Sequence, residues 1–384
     1  MCKCYICDEE INEKNETEEH IILNSLGGKL KSKKLICKNC NSKLGDSIDS
    51  VLSEKLKPIA TLLNIKRDRG KPQKFTAYST SKEKFNIYPG GIPESTKPTI
   101  EEIETNNGKL ITIKARDKKE AKKILKGLNR KYKDIDVDKE LSKSLETKQY
   151  MEDYLNFNIE IGSELEYRAI CKMAINIYIF CGGEKNNIKH LLPYIKQEKN
   201  EDIFVKNFYK EEQVIEKSNE VLHTLIVKGS KKERILIVYI ELFNAFKYIV
   251  LLNNEYTGKD IEYSYIYDVI NNNQVYRNYN FNITRNEINE FFKQDYRCEE
   301  LIIRDMENLL TYIYKKSFID KFVNDIIQKI LKANNETITK ENIDKIIYNI
   351  CKEMVPFINR GVSFTEQEIE NILREALKGE DELK

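Results

Sequence analysis

The spacing of apolar residues changes period several times along the chain. Residues 17–23 and 34–37 are short runs of strand character, and Gly27-Gly28 marks a turn between them. Downstream the step lengthens. Leu44, Ile48, Val51, Leu52, Leu56, Ile59, Leu62 and Leu63 recur three and four residues apart, which predicts an amphipathic helix that Pro58 kinks or splits near Lys57. Residues 63–98 are a transition: a basic phrase broken by Gly70 and Pro72, strand-like runs at 74–79 and 84–88, then a turn or linker at Pro89-Gly90-Gly91-Ile92-Pro93. Residues 109–115 alternate as a strand does, and 117–132 read as a helix with a strongly basic face. An apolar helix is predicted over 163–181, stopped by Gly182-Gly183. Four runs rich in Val, Ile and Tyr follow, at 223–228, 234–243, 247–252 and 261–267, and their short gaps predict an antiparallel sheet. From Arg285 onward helical steps dominate, with breaks near Asn334-Asn335 and Gly361.

The class this predicts is α+β: a small N-terminal strand-turn-strand-helix module, then a larger mixed domain with an antiparallel sheet and a helical C-terminal part. The expected boundaries are a module at 1–70, a basic Pro/Gly linker region at 71–98, and an α+β region at 99–384 with room for a helical subdomain over 285–384. A chain of 384 residues is long enough for two or three such domains. Its apolar runs near 174–181 and 235–252 are broken by Asn, Tyr, Glu or Lys, so no membrane span is expected, and the start has no signal-peptide pattern. The expected location is the cytoplasm. Heavy use of Lys, Asn, Ile and Tyr without Trp lowers the weight of any single Lys or Asn.

Charge is divided unevenly. Residues 1–84 hold 17 basic against 12 acidic side chains, a net of +5, while the remainder carries −3 of the total +2. The excess sits in two runs, 29–43 with six lysines and no acid, and 55–74 with seven basic residues and Asp68. Lys29, Lys31, Lys33, Lys34, Lys66, Arg67, Arg69 and Lys71 are the candidate contacts to a phosphate backbone, positioning it rather than reading sequence.

The nine cysteines separate into two groups. Cys171, Cys181, Cys298 and Cys351 lie in apolar surroundings suited to buried thiols. Cys4-x-x-Cys7 and Cys37-x-x-Cys40 form two knuckles, which together supply the four-sulfur tetrahedral shell of a structural zinc site. Cys2 competes with Cys4 only through a longer, poorer spacing to Cys7. Metal binding to so small a segment is part of its folding free energy.

The order knuckle, strand, turn, strand, knuckle, helix, with CYIC, EEHII, SLGG, ICKNCN, Gly45 and Ile48-Asp49 in sequence, resembles the HNH endonuclease family, in its four-cysteine branch with the ββα-metal fold. The likeness covers about the first 70 residues. It implies a DNA phosphodiester hydrolase with His20 as the general base, and a catalytic Mg²⁺ or Mn²⁺ held at the positions of Glu19 and Asn41. A neutral imidazole accepts a proton at cellular pH, and a hard cation offsets charge on the phosphoryl oxygens. Adjacent strand residues point to opposite faces, so Glu19 and His20 are not expected to point the same way. Two departures stand out. Lys34 replaces an Asn that helps orient the histidine in many members, and lysine cannot accept from an imidazole N–H, so another group must set the tautomer. Leu23 replaces a common proline. Asp46 and Asp49 are acidic enough to assist the metal, but a helix N-terminal turn favours acids in any case, while His190 and His223 lack ligand partners and are read as structural.

The partner implied is DNA, double-stranded, with no membrane. The large C-terminal region is suited to substrate choice, to holding a homodimer, or to sensing a small-molecule or protein activator. The layout resembles bacterial restriction or phage-defence nucleases. Two other readings stay open: a non-catalytic zinc-knuckle regulator that binds nucleic acid without cutting, and a defence effector nuclease gated by a signal.

Overall fold

Strand β1 (Glu19–His20) pairs antiparallel with β2 (Lys31–Ser32), setting Glu19 opposite Ser32 and His20 opposite Lys31. This computed structural model describes residues 2–318, apart from 71–72, 107, 134, 146–153, 199–202, 217 and 295–297, and also residues 348 and 352. The hairpin is shorter than its sequence suggests. Its second strand is not at 34–37: Leu35 and Ile36 are both buried instead of alternating, and the Leu35 carbonyl accepts from the Tyr5 N–H at 3.1 Å, binding the first knuckle to the second. The double glycine has two separate reasons. Gly27 closes a 3₁₀ turn (Asn24–Leu26) with φ of +90°. At Gly28 a β-carbon would lie 1.9 Å from the carbonyl oxygen of Ile22.

Helix α1 (Lys38–Leu44) starts at Cys37 and runs through a π-helical turn (Gly45–Asp49) into α2 (Ser50–Leu62). The irregularity therefore falls at the π-turn, whose extra residue lets Ile48 and Asp49 both turn inward, and α2 passes through Pro58 without ending. Leu52, Leu56 and Ile59 of α2 are buried at the periodic positions.

Residues 75–95 form strands and not only a linker. β3 (Phe75–Ser79), β4 (Lys84–Tyr88) and β5 (Ile92–Ser95) build a small antiparallel sheet in the order β5-β4-β3-β8, completed by β8 (Leu155–Asn156). Pro93 is tolerated because β5 is an edge strand. Phe75, Ala77 and Ile87 form its core against Leu62 at the end of α2. Between β5 and β8, the ribbon of β6 (Thr99–Thr105) and β7 (Gly108–Lys114) leads into α3 (Lys118–Lys131), capped by the Asp117 side chain, and α4 (Val137–Ser142).

Helix α5 (Glu164–Phe180) begins in a capping box of Ser163 and Glu166 and is followed by Gly182 at φ of +95°. It is buried nearly throughout, because one side meets α2 and the π-turn and the other meets the large sheet. After α6 (Leu192–Ile195) come β9 (Val205–Asn207), β10 (Leu222–Ser230), β11 (Ile235–Leu242), β12 (Phe246–Asn253), β13 (Ile261–Asp268) and β14 (Asn273–Gln274), in the sheet order β14-β13-β10-β11-β12-β9. The four expected strands are β10 to β13, but β13 returns to pair with β10 rather than β12. Every residue of β11 is buried, consistent with cover on both faces; the second face packs Phe208, Tyr239, Phe281 and Ile288, the last from α7 (Arg285–Lys293).

All of these elements belong to one compact unit, Met1–Arg297; a second, Cys298–Lys384, contains α8 (Glu299–Phe318). The expected breaks at Asn334-Asn335 and Gly361, and Cys351, lie outside the described residues. Among those described, no helix is long and apolar enough to cross a membrane.

His223 shows how the large sheet holds the first seventy residues. Its Nε2 donates to the Leu26 carbonyl at 2.9 Å and its Nδ1 accepts from the Phe243 N–H at 3.2 Å, so the buried imidazole is neutral and satisfied. Burial lowers its pKa to about 4, only partly offset by the bond to Leu26. The unfolded chain, near 6.5, takes up a proton that the native state refuses. Stability from this group is complete above about pH 6.5 and is lost as pH falls toward 4, by an amount on the order of 3 kcal/mol. Urea unfolding of wild type and His223→Gln across that range should show the acid loss in wild type alone; parallel curves would remove His223 as its source.

Candidate metal and nuclease site

The Sγ atoms of Cys4, Cys7, Cys37 and Cys40 all lie within 4.8 Å of one another, with Cys7 exposed and the other three buried. Burial first, then the neighbouring Cys7, Cys4 and Cys37, push the Cys40 thiol well above its usual pKa. Four thiols this close cannot ionise together without a cation between them, and soft sulfur in a four-fold set fits zinc. Cys2 is not part of the set, because its thiol donates to the Lys34 carbonyl at 3.3 Å.

Strand β1 sends its two residues to different places. Glu19 is 4% exposed and turns into the interior. Its Oε1 accepts from Asn176 Nδ2 at 2.8 Å and lies 2.6 Å from Lys172 Nζ, both on α5. The same ammonium lies 2.6 Å from Asp49 Oδ2, and Tyr5 donates to Asn176 Oδ1 at 2.7 Å. One ammonium thus serves two carboxylates. Burial, and then the charge of Glu19, raise Asp49 to about 6 against the opposing pull of Lys172. Burial alone would lower the Lys172 ammonium, but Asp49 and Glu19 more than offset it and leave it raised.

His20 turns to the other side. Its side chain is 10% exposed, and Nε2 lies 3.3 Å from Asp68 Oδ2. Asn41, on α1, donates from Nδ2 to the Thr17 hydroxyl at 3.2 Å and so fastens the helix to the chain just ahead of β1. Among the described residues the Asn41 Oδ1 accepts no hydrogen bond, and both Glu19 contacts fall on Oε1. Glu19 Oε2 and Asn41 Oδ1 are therefore uncommitted hard oxygens, the donor chemistry that Mg²⁺ or Mn²⁺ takes.

The lysines in and beside β2 are already paired. Lys29 Nζ contacts Asp68 Oδ1 at 2.5 Å, Lys31 contacts Glu18 at 2.7 Å, and Lys33 contacts Glu16 at 2.6 Å. Lys34, Lys66 and Arg69 are exposed, Arg67 is half-buried, and Lys71 lies outside the described residues. Arg67 and Lys66 line a cavity of about 290 Å³ with Thr61, Asn64 and Gln73. Sequence reasoning missed Asp68, Lys172 and Asn176. Asp68 is the lone acid in a basic run, which was its only signal. The other two are polar interruptions of an apolar helix.

Residues 4–57 match the family model described as HNH endonuclease. No curated protein and no solved structure matches the chain.

Proposed function

We propose that this protein is a metal-dependent endonuclease that hydrolyses phosphodiester bonds of double-stranded DNA. The observation that carries the proposal is the placement of His20 on a zinc-knuckle hairpin, at the edge of a lysine-rich surface, within the segment that matches the HNH family. In this reading the His20 imidazole takes a proton from water as its oxygen attacks phosphorus. The P–O bond to the 3′ oxygen breaks, and that oxygen collects a proton from solvent, leaving 5′-phosphate and 3′-hydroxyl ends. Glu19 and Asn41 would hold the Mg²⁺ or Mn²⁺, which would supply charge neutralisation at the phosphate, and Glu19 would have to turn from Lys172 toward the His20 side to do so. The four cysteines hold the hairpin against α1, and the exposed basic residues at 33–34 and 66–69 bind flanking phosphates. The joining of a small cutting module to a large α+β region supports a role in restriction or phage defence.

Plasmid DNA with Mg²⁺ or Mn²⁺ tests the reading. Wild type should nick or cut, and His20→Ala, folded to the same thermal midpoint, should lose on the order of 10²–10⁴-fold in rate. Cutting by His20→Ala at the wild-type rate would overturn the assignment. Wild type that binds duplex but cuts with neither metal would favour the regulator.

A further inference from the structure

The lysine at the usual asparagine position leaves the imidazole of His20 without its ordinary orienting partner, and the structure offers another. Asp68 comes from the loop after α2, 48 residues away in sequence. Its Oδ2 lies 3.3 Å from His20 Nε2 and 4.0 Å from Lys31 Nζ, and its Oδ1 accepts from Lys29 Nζ at 2.5 Å. The loop is tied to the hairpin that carries the histidine. The Asp68 N–H donates to Asn24 Oδ1 at 2.9 Å, Asn24 Nδ2 donates to the Arg69 carbonyl at 3.4 Å, and Lys29 Nζ reaches the Lys66 carbonyl at 3.4 Å. Asn24 lies four residues beyond His20, so base and clamp share one short piece of backbone.

Tyr267 of β13 is 4% exposed, and among the described residues its buried hydroxyl has no hydrogen-bond partner. Its ring stacks on Tyr265, with centroids 5.9 Å apart. Burial, and then the charge of Asp68, raise Tyr267 to about 12, which keeps it a neutral phenol.

We propose that Asp68 is a positioning residue for His20: its carboxylate accepts the Nε2–H, fixing that tautomer and leaving Nδ1 as the proton acceptor. The chemistry follows from the partner, since an ionised carboxylate only accepts and the ring nitrogen facing it must donate. The catalytic consequence rests on the proposed nuclease reading; the tautomer does not.

The chain has only three histidines, which makes the test direct. Full-length protein labelled with ¹⁵N-histidine gives three imidazoles in a long-range ¹H–¹⁵N spectrum, His190→Gln assigns one, and His223 is an internal standard for the Nε2–H tautomer. At about pH 8, where an ordinary imidazole is neutral, wild type and Asp68→Asn should show His20 as Nε2–H, because the Asn oxygen still accepts. Asp68→Ala should show a mixture. In cleavage assays Asp68→Ala should lower kcat by about 10–100-fold with little change in KM, and Asp68→Asn should recover most of it. A single Nε2–H tautomer in Asp68→Ala overturns the inference. So does an Asp68→Ala protein that cuts as fast as wild type or faster, because the carboxylate would then be a stand-in for the substrate phosphate that blocks the site. If wild type cuts nothing, the nuclease reading fails, and the tautomers of the two variants still decide the role of Asp68.

Discussion

Replacing Cys37 by serine should remove the metal from purified protein and with it the order of the N-terminal hairpin. Cys37 holds two positions at once: its Sγ lies 3.7 Å from Cys7 Sγ, and its backbone starts α1. A structural zinc shell contributes roughly 10–16 kcal/mol of apparent binding free energy in small finger peptides, more than most domains have in total. Here part of that loss is buffered. Ile21, Ile22, Leu26, Ile48, Leu52 and Leu56 are buried, and α2 and the π-turn pack against α5, contacts that need no metal. The expected result is therefore local. Zinc by elemental analysis falls from about one per chain to near zero, proteolysis opens the segment before residue 41, the proposed DNA cleavage is lost, and the sheet keeps its thermal transition. Cys2→Ser is the matched control, since that thiol faces the Lys34 carbonyl, and it should keep its zinc. Zinc retained by Cys37→Ser, or lost equally from Cys2→Ser, would refute the four-sulfur site.

What the sequence discloses and what it conceals follow from the range of each interaction. The two knuckles are legible because both ligands of each lie three residues apart, and the spacing is itself the chemistry. Helix α5 is legible at both ends, through Ser163 with Glu166 at its start and Gly182 after its end. The strands β10 to β13 show their β-branched runs, but the return of β13 to pair with β10 is a choice among equally apolar partners that no local pattern states. The hairpin is shorter than its pattern predicts because Leu35 and Ile36 look like strand, while their burial serves the link between knuckles. The surroundings of His20 and Glu19 are the least legible part. Asp68 looks like a stray acid among lysines, and Lys172 like a flaw in an apolar helix, until the fold brings each to its partner. The division of Glu19 and His20 between two faces was readable from strand alternation; what Glu19 would meet inside was not.

The same buried ammonium gives the largest expected change in stability from a single substitution outside the zinc shell. Lys172→Met keeps the volume and apolar stem but leaves Glu19 and Asp49 facing each other without a cation. Among the described residues Asp49 already has one oxygen, Oδ1, buried without a partner, which fits a cluster carrying one negative charge in excess. Breaking a buried pair by deleting one member costs about 3–5 kcal/mol, because the remaining charge is neither paired nor solvated. A loss of that size is well beyond the ordinary mutational effect of about 1 kcal/mol. The pH dependence has a definite sign. Asp49 sits raised at about 6 with Lys172 in place, and removing the ammonium raises it further. A carboxyl raised in the native state binds its proton more readily there than in the unfolded chain, so the deficit of Lys172→Met is greatest at alkaline pH and shrinks as pH falls through the raised value. Asp49→Asn should do at every pH what protonation does in acid. The double variant Lys172→Met/Asp49→Asn is therefore expected to be more stable than Lys172→Met alone at neutral pH, which simple addition of two destabilising changes does not allow. Denaturant unfolding of the four proteins measures this coupling directly. Additive losses would mean that Lys172 stabilises the fold through its packing alone, and that α5 holds the hairpin without the charge.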